Sequence, residues 1–425
     1  MANNDPYLVA IDIGSFAVKL VVAKNSLDVQ NKVQILALVQ RSSGGIKRGV
    51  ITNMSEATES IVEIINQAEG IIGLPIRQVI VGISGTNINF KNSEGLVVIS
   101  HNDNEITEND VDRVIQDSLS KAYNIHNSEI LHTIPKSFVL DNQSGIKYPV
   151  GMIGHKMECK TLIISTENSY LRNFTKVFNQ ANLGILEQIY TPLAASEFLL
   201  SQRQKKVGTV LVDIGSNSTT FIVWENEEIV GSGVIPLGGE HITADLAVGL
   251  QTTIEIAEKL KKDYLNVFSQ TSEEIEVFND DTGLNEYFET GDLVNYARPR
   301  VEEIFYYLQK ELKKIPRTTQ TPGGVVLIGG GANLGGILEI SRNILKLPTF
   351  KHNFDKNTIE FVPDYNNEPN FMNAIALSAY LLYHAEEISQ TQKFSQNSQN
   401  PQGQNSNKNE KGSFMDFIKK FLPWS

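Results

Sequence analysis

The spacing of apolar and polar positions along the chain predicts a mixed α/β protein built twice over. Residues 210–214 form an apolar run that enters Gly215-Ser216-Asn217-Ser218, and a second apolar run follows over 219–224. This reads as a strand, a tight turn and a strand, with Asp213 at the end of the first strand. Residues 7–23 repeat the pattern around Asp12-Ile13-Gly14-Ser15. Two such hairpins, about 200 residues apart, predict a duplicated α/β unit with Asp12 and Asp213 facing each other across one cleft. The alternative is two ordinary hairpins whose turns happen to match.

Between the hairpins, strands are expected over 33–39 and 78–84, with a helix over 55–72 capped by Ser55. From residue 86 the texture changes to strands over 96–100, 130–139 and 159–164 and a helix opening at Thr107. Acidic residues in the first turn of that helix and Lys121 in its last suit the helix dipole. A helix over 168–180, a strand over 184–190 and a helix over 191–201 lead back to the second hairpin. Beyond it come a strand over 229–235, helices from 240 and over 253–265, a short strand over 275–278 and a long helix over 292–313. A strand over 325–328 then meets Gly329-Gly330-Gly331, with helices expected over 332–345 and 371–383. The domains read as 5–85 with 166–205, an inserted α+β module over 86–165, a second unit over 206–252 with 325–384, and its own insertion over 253–324.

The turns carry the candidate chemistry. Each points backbone N–H groups into one concavity, which favours an anion. Gly14 and Gly215 let the backbone approach closely, and Ser15, Ser216 and Ser218 add donors without bulk. A carboxylate repels phosphate, so Asp12 and Asp213 make sense with a cation between them and the anion, most simply Mg²⁺ through water. The Gly329 triplet at a strand-to-helix junction offers bare backbone to a flat ring or a phosphate.

Composition narrows the class. The chain has 425 residues, 41% of them hydrophobic, and a net charge of −12. That length implies more than one domain, and that charge argues against general nucleic-acid binding. The lone Cys159 excludes a disulfide framework and reads as a small buried residue. His101, His126, His132 and His155 show no metal-ligand spacing. No signal peptide is expected at the N-terminus, and no apolar run is long enough to span a membrane.

The last forty residues differ again. Residues 385–411 are rich in Gln, Asn and Ser, which predicts a flexible linker. On a helical wheel Phe414, Met415, Phe417, Ile418, Phe421, Leu422 and Trp424 share one half, with Lys419 and Lys420 opposite, so 412–425 reads as a short basic amphipathic helix. It suits a membrane interface, the protein's own body, or a partner's groove. The long leash favours the membrane.

The order of hairpin, insertion, hairpin, insertion and Gly-Gly-Gly resembles the nucleotide-binding superfamily of actin, the heat-shock chaperone ATPases and hexokinase. More specific runs resemble the bacterial FtsA cell-division family: VGISG at 81–85, HTIPKSFVLDNQSGIKYPVGMIGHKME at 132–158, PLGGEHITADLAVGL at 236–250 and ARPRVEEIF at 297–305. The likeness covers about residues 5–383 and extends to the linker and tail. It implies an actin-like two-domain ATPase fold that polymerises with ATP bound and tethers FtsZ filaments to the inner face of the cytoplasmic membrane at the division site. It further implies a nucleotide and Mg²⁺ site formed by Asp12, Gly14, Ser15 and Lys19 on one side and Asp213, Gly215, Ser216, Asn217 and Ser218 on the other. Gly238, Gly239, Gly329, Gly330 and Gly331 would line the nucleotide, with Glu258 and Lys261 near the adenosine. Arg300 would take the C-terminal peptide of FtsZ, and the first insertion would serve self-association and later division proteins. The tail would meet anionic lipid.

Two departures qualify this. The second turn reads Ser216-Asn217-Ser218 where the family often has Gly-Gly-Thr. Thr191 stands before the Pro of the crossing helix, where chaperones of the superfamily carry a carboxylate, so weak or absent ATP hydrolysis is expected. The competing readings are a PilM-like pilus-assembly scaffold, a small-molecule kinase of the same superfamily, and a heat-shock-type chaperone ATPase, which would need a β-rich peptide-binding domain after the nucleotide domain.

Overall fold

The computed structural model describes residues 7–25, 32–47, 49–100, 102–122, 127–279, 282–315, 321–352, 358–362 and 369–382. The expected linker, the amphipathic helix with its nine interfacial residues, and His101 and His126 lie outside the described residues.

The first sheet has six strands, in the order Gly184–Tyr190, Gln78–Ile83, Leu8–Ile13, Ala17–Asn25, Val33–Ser42, Ile359–Phe361. The first hairpin pairs Asp12 with Lys19, and on its other side Asp12 runs parallel to Gly82. The helices Met54–Ile72 and Asn168–Gln180 share the core of this sheet, burying Ile61, Ile64 and Ile65 from the first and Phe174 and Phe178 from the second. Ser55 is not the cap of the first. Asn53, still extended, accepts hydrogen bonds from the amides of Ser55 and Glu56. Asn53 precedes the first helical residue, whereas the Ser55 amide is itself one of the orphan donors that need a partner.

The module over 88–167 is an antiparallel sheet in the order Ile88–Val98, Lys156–Glu167, Ser128–Leu140, Gln143–Ile146, covered by the helix Glu108–Ala122. Val111, Val114, Ile115 and Leu119 pack there on Val97, Phe138, Met157 and Cys159. Cys159 is buried, and burial pushes its thiol up to about 12.

The second sheet repeats the first in miniature: Glu228–Ile235, Thr219–Glu225, Thr209–Ile214, Val325–Ile328, Thr349–Lys351. Its hairpin pairs Asp213 with Thr220, and its first strand runs parallel to Val325–Ile328. One face packs on the helices Gly239–Leu250, Ile254–Asp263, Thr290–Leu312 and Ile337–Leu345. The short strand Glu274–Asn279 is joined by Leu284–Glu289, which the sequence did not disclose because its residues are mostly polar and partly exposed.

Three further expectations are corrected. No helix runs over 332–345: Gly330–Asn333 is a single 3₁₀ turn, Leu334 is extended, and Gly336 at φ +77° precedes the helix Ile337–Leu345. The chain also does not close the second unit at 384. Ile359–Phe361 joins the first sheet, and in the helix over 372–382 Leu377, Tyr380 and Leu381 pack on Ala10, Ile80 and Ile189. The apolar face of that helix finds its complement across the molecule, a pairing that helical periodicity cannot specify. The crossing helix Thr191–Leu199 likewise touches strands of both sheets. It ends two residues early, because Ser201 and Gln204 form a capping box that starts the short helix Gln202–Val207.

Candidate functional site

Each hairpin turn is closed in the same way. The Gly14 amide donates to the Ala17 carbonyl (3.1 Å), and the Gly215 amide to the Ser218 carbonyl (3.0 Å). Alternation along the strands puts Asp12 on the face of Ala10, and Asp213 on the face of Leu211. Those faces meet the crossing helix and the last helix, so both carboxylates point into the seam between the two halves. Asp12 is 5% exposed.

Burial decides the electrostatics. It pushes the Asp12 carboxyl up to about 6, with Lys19 opposing the rise and the Asp213 charge adding to it. Burial also raises Asp213, against a hydrogen bond from Asn373 and the charge of Lys19. Two raised carboxyls in one another's field are a place where added positive charge is favourable. Among the described residues no three His, Cys, Asp or Glu side chains converge as a ligand set for a metal ion.

The flanking hydroxyls are partly engaged. The Ser43 hydroxyl donates to the Gly14 carbonyl (2.5 Å), and Ser15 Oγ accepts from the Gly49 amide (3.1 Å). The Ser216 hydroxyl donates to Glu240 Oε2 (3.3 Å). Asn217 and Ser218 remain partly exposed at the tip of the second turn.

The glycines divide by role. A Cβ on Gly329 would strike Asp213 Oδ1, and one on Gly331 would strike the Ile214 side chain. Both let the 3₁₀ turn lie against the end of the Asp213 strand. Only Gly330 of the three has open space where a side chain would be. Gly238 and Gly239 seat the next helix on the second turn: the Gly239 amide donates to the Gly215 carbonyl (2.9 Å) and the Glu240 amide to the Ser216 carbonyl (2.8 Å). A Cβ on Gly238 would stand 2.5 Å from the Gly215 oxygen.

Glu258 and Lys261 are brought to the same place. Lys261 Nζ donates to Glu258 Oε2 (2.5 Å), Thr243 Oγ1 (2.7 Å) and the Gly239 carbonyl (3.1 Å). Lys262 pairs with the other Glu258 oxygen (3.1 Å) and lies over the ring of Phe16, 5.0 Å from its centroid. Phe16, at the tip of the first hairpin, thereby touches the second half. Arg300 is not in the cleft. It holds Asp245 through two bonds (2.7 and 3.1 Å) and Glu303 through a third (2.5 Å), on the helix Thr290–Leu312.

Three residues escaped the sequence reading. Asn373 Nδ2 donates to Asp213 Oδ2 (2.7 Å). Thr220 is the cross-strand partner of Asp213, and Phe16 lies under Lys262 of the second half. The one signal for Asn373 was an amide among the apolar residues of 371–377.

Comparison with known proteins agrees with this architecture. A family model described as the SHS2 domain inserted in FtsA matches residues 85–165, and one described as cell division protein FtsA matches 210–376. The cell division protein FtsA of Bacillus subtilis is 33% identical over 348 residues, 81% of this chain and 78% of that one. Its counterpart in Enterococcus faecalis is 30% identical over 385 residues, 89% of this chain and 84% of that one. Among solved structures, a PilM–PilN type IV pilus biogenesis complex aligns with a TM-score of 0.66 at 16% identity, covering 89% of this chain and 99% of that one. MreB5 of Spiroplasma citri bound to ADP aligns with a TM-score of 0.54 at 12% identity, covering 90% and 98%. At those identities the two structures speak for an actin-like fold alone. The sequence relatives go further: with matches at this identity over most of both chains, this chain belongs to the FtsA family of cell-division proteins.

Proposed function

We propose that the cleft between the hairpins binds ATP with a hydrated Mg²⁺, and that the bound nucleotide favours a closed form that assembles into filaments and tethers FtsZ to the cytoplasmic membrane. The observation that carries the nucleotide reading is the pair of buried Asp12 and half-buried Asp213, each at the end of a register-matched hairpin. The cation would supply the positive charge between this pair and the phosphates. Gly14 and Ser15, with Gly215 to Ser218, frame the phosphate side, and Lys19 stands directly across from Asp12. Gly330 leaves room for a flat ring, and Glu258 and Lys261 border the same region through Gly239. Nucleotide-bound relatives of the fold support the reading: the MreB5 structures carry ADP or AMPPNP.

Thr191 stands at the start of the crossing helix with its hydroxyl buried. A hydroxyl has no basicity near neutral pH, so hydrolysis is slow and the nucleotide acts as a structural ligand. Arg300, fixed by Asp245 and Glu303, offers a guanidinium to a carboxylate of the FtsZ C-terminal peptide. The residues over 412–425 supply the lipid contact, with Lys419 and Lys420 toward anionic headgroups.

The test is liposome co-sedimentation of the full chain and of a version ending at Glu386, with and without ATP and FtsZ. The full chain is expected to carry FtsZ to anionic vesicles and the truncated one to leave it in solution. Recruitment by the truncated chain would sink the tether reading.

A further inference from the structure

We propose that Asn373 completes the cation site: its Oδ1 accepts a hydrogen bond from the water shell of a divalent cation held between Asp12 and Asp213, while its Nδ2 keeps Asp213 oriented. The inference rests on the nucleotide and Mg²⁺ reading of the cleft and assigns it a residue contributed by the last helix.

The seam around the two carboxylates holds several buried polar atoms without a partner. Asn373 Nδ2 is engaged by Asp213 at 2.7 Å, yet its Oδ1 is buried and has no donor. The Thr220 hydroxyl, 4% exposed, is also without a partner, and Thr220 stands directly across the hairpin from Asp213. The Thr191 hydroxyl, 1% exposed, has none either, and it lies 2.6 Å from where a Cβ of Gly82 would be, Gly82 being the strand partner of Asp12. Buried polar atoms normally find partners, and here three orphans surround one acid pair. An anion would face the two carboxylates and the amide oxygen of Asn373. The water of a hydrated cation presents only donors outward, which the carboxylates and the amide oxygen call for and the two hydroxyls can accept.

A neutral amide suits this position. A third carboxylate would add repulsion to a pair already raised by burial, whereas Asn supplies an acceptor to the water shell and a donor to Asp213. Its backbone is fixed, because Ala374, Ile375 and Leu377 around it are fully buried. Groups that orient metal ligands and their waters typically contribute 10- to 100-fold in affinity.

The test is MnCl₂ titration of the full-length protein, read by water-proton relaxation with and without ATP, for wild type, D12N, N373A and N373D. Urea midpoints in EDTA check that each variant folds. N373A is expected to weaken Mn²⁺ binding about 10-fold or more, and N373D, which keeps an acceptor, to bind at least as tightly as wild type. Should N373A not fold, N373S, too short to bridge the pair, replaces it with the same expectation. Mn²⁺ affinity unchanged in N373A while D12N loses binding would overturn the role of Asn373 alone. Equal loss in N373A and N373D would leave only the Nδ2 bond to Asp213 and overturn the acceptor role of Oδ1. A wild type that binds no Mn²⁺ in either condition would overturn both this assignment and the cleft reading beneath it.

Discussion

Asp12 carries its carboxyl where the fold leaves it almost no water, and its proton affinity follows from that. Its folded value, raised to about 6, lies above the ordinary 3.8. The ionised form therefore penalises the folded state above about pH 6, and the penalty disappears as pH falls toward 3.8, because the folded chain takes up a proton that the unfolded chain does not. In EDTA, D12N should be more stable than wild type at pH 7.5, by on the order of 3 kcal/mol at most. The gap should close by about pH 4, where both side chains are neutral. Urea midpoints measured across that range check it. A gap that widened toward acid would mean that Lys19, not burial, governs this carboxyl.

At the scale of elements, the helix Met54–Ile72 tests how local signals are read. Asn53 accepts from two orphan amides, and Ser55 sits exposed inside the first turn. Asn53→Ala should cost about 1 kcal/mol, whereas Ser55→Ala should change stability little. Equal losses in chemical denaturation would return the cap to Ser55. The glycine triplet makes a related point. Glycine is required at 329 and 331 by close packing on Asp213 and Ile214, and only Gly330 opens outward. A run of three identical residues thus holds two different jobs, and spacing alone does not separate them.

At the scale of the whole molecule, the inserted module touches the second half as well as the first. Lys147 Nζ pairs with Glu227 (2.7 Å) and reaches the Asn226 carbonyl (3.1 Å), and Lys136 Nζ donates to the Val230 carbonyl (3.3 Å). The Lys147–Glu227 pair is partly exposed, so its contribution to stability stays within about 1 kcal/mol. Its effect should be positional. K147E and E227K singly should speed amide exchange at the turn after Glu225, and the charge-reversed double variant should restore protection. Exchange that is the same in all four proteins would show that the module sits there without that pair.

The sequence by itself determined most of the elements and the duplication. Periodicity gave the helix over 168–180 and the strand over 184–190 to the residue, and the two Asp-Ile-Gly-Ser turns stood out because a motif repeated in register is visible without a fold. It also predicted that Asp12 and Asp213 face each other, and the charge of Asp213 does act on Asp12. What the tertiary structure decided were the long-range partners. Asn373 lies 160 positions from Asp213, and no local pattern records which surface a helix will cover. The return of 359–361 and 372–382 to the first sheet, the contact of Phe16 with Lys262, and the unpartnered polar atoms around the acid pair all depend on which faces meet. Local chemistry fixes what each segment can bury. Only the packed chain settles against what, and with it which polar atoms are left without a partner.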